Sequence, residues 1–398
     1  MYRTNRFTSL PAKAALLVLT SCAWQTAAAN LVHPGILVDR AQLQYVKARL
    51  HQQPWQQAFQ QAKDSVWANK AYQPKPWHTV ECGSYSKPNY GCSDETNDAA
   101  AAYTQALLWS YTGETVYAEN VRRILNAWAN TLAGGHTNSN GPLQAAWSAT
   151  QFSRALEITK YSYAQWPKAE QDKVAQMLVT QYRPNILRMF TPGAGSTCHN
   201  KNWHASGIEA LMSIGIVTDN RQWMEDAIQR WRSLVPAYIY LPTDGWRPVD
   251  ATWCTRSDSR IAAHWHSPKA FVTGLSQETC RDLAHTAMGL AAIVNVAETA
   301  RLQGIDLYAE QQYRIIRALE LHSSHQNGNL TRQLCSAPLK ATINGTFEIA
   351  YNHYALRRGI RMPETQTFLA KSRPMPGGFH LRWETLTHGL TGTRQRGN

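Results

Sequence analysis

Two short stretches of the chain concentrate the side chains that proton transfer next to an anionic group requires. The first, "CHNKNWHASGIEA" from Cys198 to Ala210, places two histidines, two asparagines, a lysine and a tryptophan in seven residues and then takes on helical spacing. From Asn202 onward, 100° per residue puts Asn202, Ser206, Glu209 and Ser213 on one stripe, while Ile208 and Leu211 fall away from it. One reading makes Asn202 or Asn200 an N-cap and turns the stripe to water. The other makes a helix N-terminus with amide and imidazole donors a receptor for a carboxylate.

The second stretch is "QETCRDLAHTAMGLAAIVNVAETARLQGIDLY", residues 277–308. Arg281 and His285 are four residues apart and share a face with Ala292, Asn295 and Thr299, whereas Leu283, Leu290, Val294 and Ala297 take the opposite, core-facing side. An arginine one turn away disfavours an imidazolium, so His285 is expected to be neutral and able to accept a proton. The alternative pairs Arg281 with Asp282 or Glu278 and buries His285 as a structural histidine. Further polar–aromatic groups are "FEIAYNHYALRRG", with Tyr351, Asn352, His353 and Tyr354, and "SRIAAHWHSPKAF", with His264, Trp265 and His266 in a long loop. In "WSATQFSR", Trp147, Gln151 and Arg154 are spaced 4 and 3 apart and form a candidate sugar-binding face, with Arg154 equally readable as a surface ion-pair partner.

Helices must position these groups. "NDAAAAYTQALLWSYTG" steps Tyr103, Leu107 and Tyr111 by four and stops at Gly113, and "TVYAENVRRILNAWANTLAGG" repeats the scheme to Gly134 and Gly135. Further helices are expected over 142–163, 169–189, 203–217, 221–235, 279–303, 309–324 and 346–359. Strand signals are few; the best are "AYIYLP" and "NGNLTRQLC", and each reads equally as loop. Many helices with short turns and no strand series imply an all-α domain of packed helical hairpins. The irregular stretches 70–96, 240–278 and 326–345 exceed ordinary connections and are candidate functional loops.

Composition bounds the partners. The chain has 398 residues and a formal charge of +13. Arg3, Arg6 and Lys13 precede an apolar run from Ala14 to Leu19, and small residues follow at Ala27 and Ala29, the layout of a secretory signal peptide over 1–29 with one domain over 30–398. "LTSC" ending at Cys22 also fits lipoprotein processing. Cleavage after Ala29 removes three positive charges and no negative one, leaving +10, and leaves six cysteines: Cys82, Cys92, Cys198, Cys254, Cys280 and Cys335. Cys82 and Cys92 flank a turn-rich loop and are expected to be bridged. No cysteine spacing suggests zinc. The basic residues are dispersed and no nucleic-acid-binding motif is present, so an acidic polysaccharide fits an exported basic protein better than nucleic acid. No second apolar run reaches the roughly 20 residues of a membrane span. The expectation is a periplasmic or secreted monomer.

"NW" before a helix ending in "SIGIVTDNR", then "QETCRDLAHT", "AETARLQGIDLY", "AYNHY" and "WETLTH", together resemble the alginate-lyase superfamily of polysaccharide lyases over roughly residues 95–390. The resemblance implies an incomplete (α/α) toroid whose groove cleaves uronic-acid polymers by β-elimination. The expected polymer is alginate, glucuronan or a similar polyuronate, and the sequence assigns no cofactor and no metal ligand. It further implies that Asn202 matches the family's asparagine, that Arg281 lies near its arginine and that His285 lies near its tyrosine. The family's adjacent Asn-His becomes Asn-Trp-His here, which moves the histidine to His204. Either histidine is then a candidate base, and Tyr351, with Tyr308 second, is the candidate proton donor. Trp147, Gln151, Arg154, Trp203, His266 and His353 are candidate substrate contacts. An (α/α)-barrel glycoside hydrolase with two carboxylates across the bond, or a binding protein without turnover, are the rival readings.

Overall fold

The computed structural model describes residues 1–3, 30–191, 201–254, 258–345, 347–375 and 377–390. The chain divides into two compact units, Met1–Asn30 and Leu31–Asn398. Most of the expected leader, with Cys22, and also Cys198 and Asn200, lie outside the described residues.

In the second unit, α1 (Arg40–Lys47) starts at Asp39, whose side chain accepts the amide of Gln42, and α2 (Trp55–Lys63) follows. Two short strands, β1 (Val80–Cys82) and β2 (Asn89–Tyr90), pair antiparallel, and β3 (His136–Thr137) joins β1 in parallel. Helix α3 (Cys92–Thr112) ends at Gly113, whose φ of 75° is the left-handed turn that stops a helix. Helices α4 (Thr115–Thr131), α5 (Gly141–Lys160), α6 (Lys168–Met177), α7 (Arg183–Leu187), α8 (Lys201–Val217), α9 (Arg221–Tyr238) and α10 (Asp258–His264) come next. Then α11 (Leu283–Leu302), α12 (Leu307–Glu310), α13 (Gln312–Gln326), α14 (Phe347–Tyr351), α15 (Pro363–Ser372) and α16 (Glu384–His388) complete the unit.

The inner helices are neighbours in chain order: α3 packs on α5, α5 on α8, α8 on α11 and α11 on α14. Helices α4 and α9 pack outside α3 and α8, and α13 packs with α15. This is the incomplete (α/α) toroid, and sequence explains the two tiers. Helices α5 and α8 are buried almost all round, whereas α4 buries one stripe, Tyr117, Val121, Ile124, Leu125 and Trp128. The α8 stripe Asn202, Ser206, Glu209 and Ser213 is buried, not turned to water.

Neither stretch with strand signals forms a ladder: "AYIYLP" and "NGNLTRQLC" contribute only the isolated bridges Ile239–Ser276 and Pro268–Cys335, in keeping with the loop alternative. Helix α11 begins at Leu283 rather than 279, because Asp282 caps it. Cys82 is bridged to Cys92, as expected, and Cys280 to Cys335.

Candidate active site

The N-terminus of α8 and the turn before α11 meet at one cleft. Asn202, Trp203, Arg281, His285 and Met288 line it, together with Trp147 and Gln144 of α5, Thr96 and Asn97 of α3, Ser84, Tyr85 and Ser86 of the disulfide-closed loop, and Phe379 of the C-terminal segment. Its volume is about 590 Å³, within the usual range of ligand pockets.

Glu278 joins the two helix starts. Its carboxylate oxygens each lie 2.6 Å from Asn202 Nδ2, one accepts the Asn202 backbone amide at 3.1 Å, and the other accepts from Arg281 at 2.9 Å. Lys201 N donates to Gln277 Oε1 at 3.3 Å. The anion at the α8 N-terminus is therefore supplied by the protein itself, which corrects the expectation that those amides wait for a ligand carboxylate. Burial pushes the Glu278 carboxyl up, and the Asn202 bonds and the charges of Arg281 and His285 offset this only in part. Asn202 Oδ1 is buried and has no hydrogen-bond partner among the described residues.

One turn on, Asp282 caps α11 and also binds the His285 ring, with Nδ1 2.8 Å from Oδ1 and 2.7 Å from Oδ2. The charge closest to the imidazole is thus Asp282 and not Arg281, contrary to the sequence expectation. Arg281 and His285 are 23% and 28% exposed, so both reach the cleft. Gly289 lets α11 approach α9, since a Cβ there would lie 2.1 Å from the Tyr238 hydroxyl.

Beneath the wall formed by Gln144 lies a buried anion. Glu95 accepts from His136 Nε2, Tyr182 Oη and Gln144 Nε2 at 2.8 Å each and from Ser148 Oγ at 3.0 Å. Burial opposes its charge, but His136 and these donors hold its carboxyl below the usual range. Opposite, Phe379 stacks on Trp147 with ring centroids 4.0 Å apart, and His380 Nε2 bonds Met288 O at 3.1 Å. Residues 377–382 therefore strap the cleft on one side, a role invisible in the sequence because nothing local marks it.

Other sequence candidates lie outside the lining. His204 is buried against Phe190 and Trp253, with Nε2 2.9 Å from Met189 O, because it sits two residues, about 200°, round the helix from Asn202. Gln151 accepts from Arg382 Nε at 3.1 Å, and Arg154 pairs with buried Glu209, so only Trp147 of that face reaches the cleft. His353 stacks on Tyr308 at 3.9 Å among Glu298, Arg301 and Arg357, and burial lowers it to about 4. Tyr351 is 7% exposed beside Glu348 and Arg373, and Tyr308 is buried. His266 is half-buried in the 240–278 loop, with a left-handed φ of 58°. The tyrosine that does line the cleft is Tyr85, which is 86% exposed; its signal was membership of the irregular stretch 70–96 between two bridged cysteines. Among the described residues no group of three or more His, Cys, Asp or Glu is arranged to hold a metal ion.

Comparison with known proteins agrees with this architecture. Residues 46–329 match the family model described as alginate lyase. No curated protein matches the chain in sequence. Alginate lyase A1-III from Sphingomonas species A1 superposes with a TM-score of 0.59 at 17% identity, covering 84% of this chain and 92% of that one. A histidine-to-alanine variant of alginate lyase A1-III complexed with a tetrasaccharide gives 0.59 at 17% identity, over 84% and 90%. An alginate lyase from Bacteroides ovatus gives 0.54 at 15% identity, over 90% and 100%. With the family match spanning well over half of its length, the chain belongs to the alginate lyase family and is a polysaccharide lyase.

Proposed function

We infer that the protein cleaves a polyuronate, alginate or a chemically similar polymer, by β-elimination in the cleft between α8, α11 and the Cys82–Cys92 loop. The observation that carries this reading is the convergence of Arg281, His285 and Asn202 on one cleft with aromatic walls. The C5 proton of a uronate is barely acidic until the adjacent carboxylate is neutralised. Arg281 supplies the positive charge for that carboxylate, and Glu278 holds Arg281 and Asn202 in register. His285 removes the C5 proton. The electron pair forms the C4–C5 double bond, the bond from C4 to the glycosidic oxygen breaks, and that oxygen takes a proton from the Tyr85 hydroxyl. Trp147 and Trp203 offer faces on which sugar rings stack.

An exported location agrees with the leader-like start of the chain and with the disulfides. Among the described residues no helix is long and apolar enough to cross a membrane. The test is to incubate the protein with alginate, polymannuronate, polyguluronate and glucuronan. The reading requires the ultraviolet absorbance of a new unsaturated uronate end with at least one of them. Reducing ends without that chromophore would identify a hydrolase instead.

A further inference from the structure

We propose that Asp282 is a positioning residue that locks the His285 imidazole in the tautomer whose bare nitrogen, Nε2, is presented to substrate. This rests on the reading of His285 as the base. Asp282 occupies the N-cap of α11 with extended backbone, φ −173° and ψ 161°, and Oδ1 accepts the backbone amide of His285 at 2.8 Å. His285 is the third residue of the helix, the position whose amide an N-cap side chain normally satisfies. The same cap therefore brings the imidazole of that residue against the same carboxylate, with Nδ1 2.8 Å and 2.7 Å from its two oxygens.

An ionised carboxylate can only accept, so the hydrogen must lie on Nδ1. In the neutral ring Nε2 is then the basic nitrogen, and no described residue bonds it. Burial disfavours the Asp282 charge, but the two hydrogen bonds from His285 and the positive charge of Arg281 outweigh burial and hold this carboxyl below the ordinary aspartate range. Among the described residues, charged or titratable groups near the ring include Arg281 and Glu278 on the preceding turn, Tyr85 in the same cleft lining and, from α9, Tyr238, whose hydroxyl reaches the carbonyls of His285 and Thr286 at 3.5 and 3.3 Å. None of these offers Nδ1 an acceptor bond in place of Asp282.

Capping and tautomer control can be separated. Asn and Ser cap helices about as well as Asp, so Asp282→Asn and Asp282→Ser keep α11. In Asp282→Asn the side-chain oxygen still takes the helix amide, while the amide nitrogen donates to Nδ1 and moves the imidazole hydrogen to Nε2. The matching change in Ser-His-Asp triads, where the aspartate likewise fixes the tautomer, lowers kcat by about four orders of magnitude.

We expect Asp282→Asn to lose about 100-fold or more in kcat on alginate, with KM changed less than about threefold and the thermal midpoint close to that of the parent. Side-chain nitrogen NMR of His285 should show the Nδ1–H tautomer in the parent and the Nε2–H tautomer in Asp282→Asn. Asp282→Ser, which caps without dictating either tautomer, should fall between them in rate. Parent-like kcat in both variants, or an unchanged tautomer in Asp282→Asn, overturns the inference. Full activity in His285→Gln would instead overturn the reading of His285 as the base, so the two failures are distinguishable.

Discussion

Asn202 Nδ2 sits 2.6 Å from both carboxylate oxygens of Glu278, so the start of α8 is bonded directly to the turn that leads into α11. Because Glu278 also accepts from Arg281 at 2.9 Å, a single buried carboxylate sets the spacing between the two residues expected to face substrate. Removing either facing group should therefore hurt turnover more than folding. Asn202→Ala and Arg281→Ala are expected to lower kcat/KM by about 10²- to 10³-fold, the usual cost of a lost transition-state partner. Glu278→Gln keeps the shape and loses the charge, and should cost about 10- to 100-fold through misplacement of both groups. Initial rates from product absorbance, with circular dichroism as the folding control, measure all three. Parent-like rates in Arg281→Ala would remove Arg281 from the site.

Much of this arrangement was legible in the sequence, and the exceptions have a common physical cause. The helical hairpins from Asn97 onward announced themselves because an outer helix such as α4 buries one stripe and exposes the other. The i,i+4 spacing of Arg281 and His285, a local rule, accords with both lining one cleft. Asp282 lay in plain view between them, yet its effect was missed because capping acts through a side chain three residues back rather than four. Glu278 bonds Asn202 across 76 positions, and Phe379 meets Trp147 from a segment with no motif of its own. Long-range partners of this kind leave no periodic trace. A helix sends residues i and i+2 to different sides, so His204, two positions from Asn202, turns toward Met189 while Asn202 lines the cleft.

That rotation yields a prediction for His204. Its Nε2 bonds Met189 O at 2.9 Å and its ring packs between Phe190 and Trp253, so it acts in the core. His204→Phe keeps the ring contacts but orphans the Met189 carbonyl, which should cost about 1–3 kcal/mol of stability. Urea unfolding should record that loss while kcat/KM of the folded protein stays within about twofold of the parent. A collapse of kcat without a loss of stability would return His204 to the list of bases.

The Cys82–Cys92 bridge closes the loop that carries Ser84, Tyr85 and Ser86 to the cleft. Its removal in Cys82→Ser/Cys92→Ser frees a short loop in the unfolded chain, worth about 2–3 kcal/mol on the chain-entropy scale. The larger functional effect is expected at the site, where a loosened wall must be ordered again when polymer binds. KM should rise several-fold, and Tyr85→Phe in the intact loop should instead lower kcat by about 10²-fold with little change in KM. Opposite signatures, with KM moved by Tyr85→Phe and kcat by the disulfide variant, would make Tyr85 a sugar contact and not the acid.

The interior predicts a pH dependence of stability with an identifiable source. Glu209 pairs with Arg154 and accepts from Asn295 Nδ2 at 2.9 Å, yet burial pushes its carboxyl from the ordinary 4.5 to about 7, because desolvation outweighs those favourable contacts. A carboxyl raised in the folded state holds a proton that the unfolded chain releases. Its contribution is thus full below about 4.5 and is lost as pH climbs toward about 7, a swing on the order of 3 kcal/mol. Buried His322, His353 and His380 act in the opposite sense. Burial lowers them to about 4, 4 and 3, so they favour the folded state above 6.5 and withdraw that support as pH falls. The parent curve is a sum of the two, and the difference between parent and Glu209→Gln isolates the carboxyl. Thermal midpoints at several pH values should show the parent losing stability relative to Glu209→Gln as pH rises from 4.5 to 7.5. A pH-independent difference would mean that Glu209 does not titrate in that window.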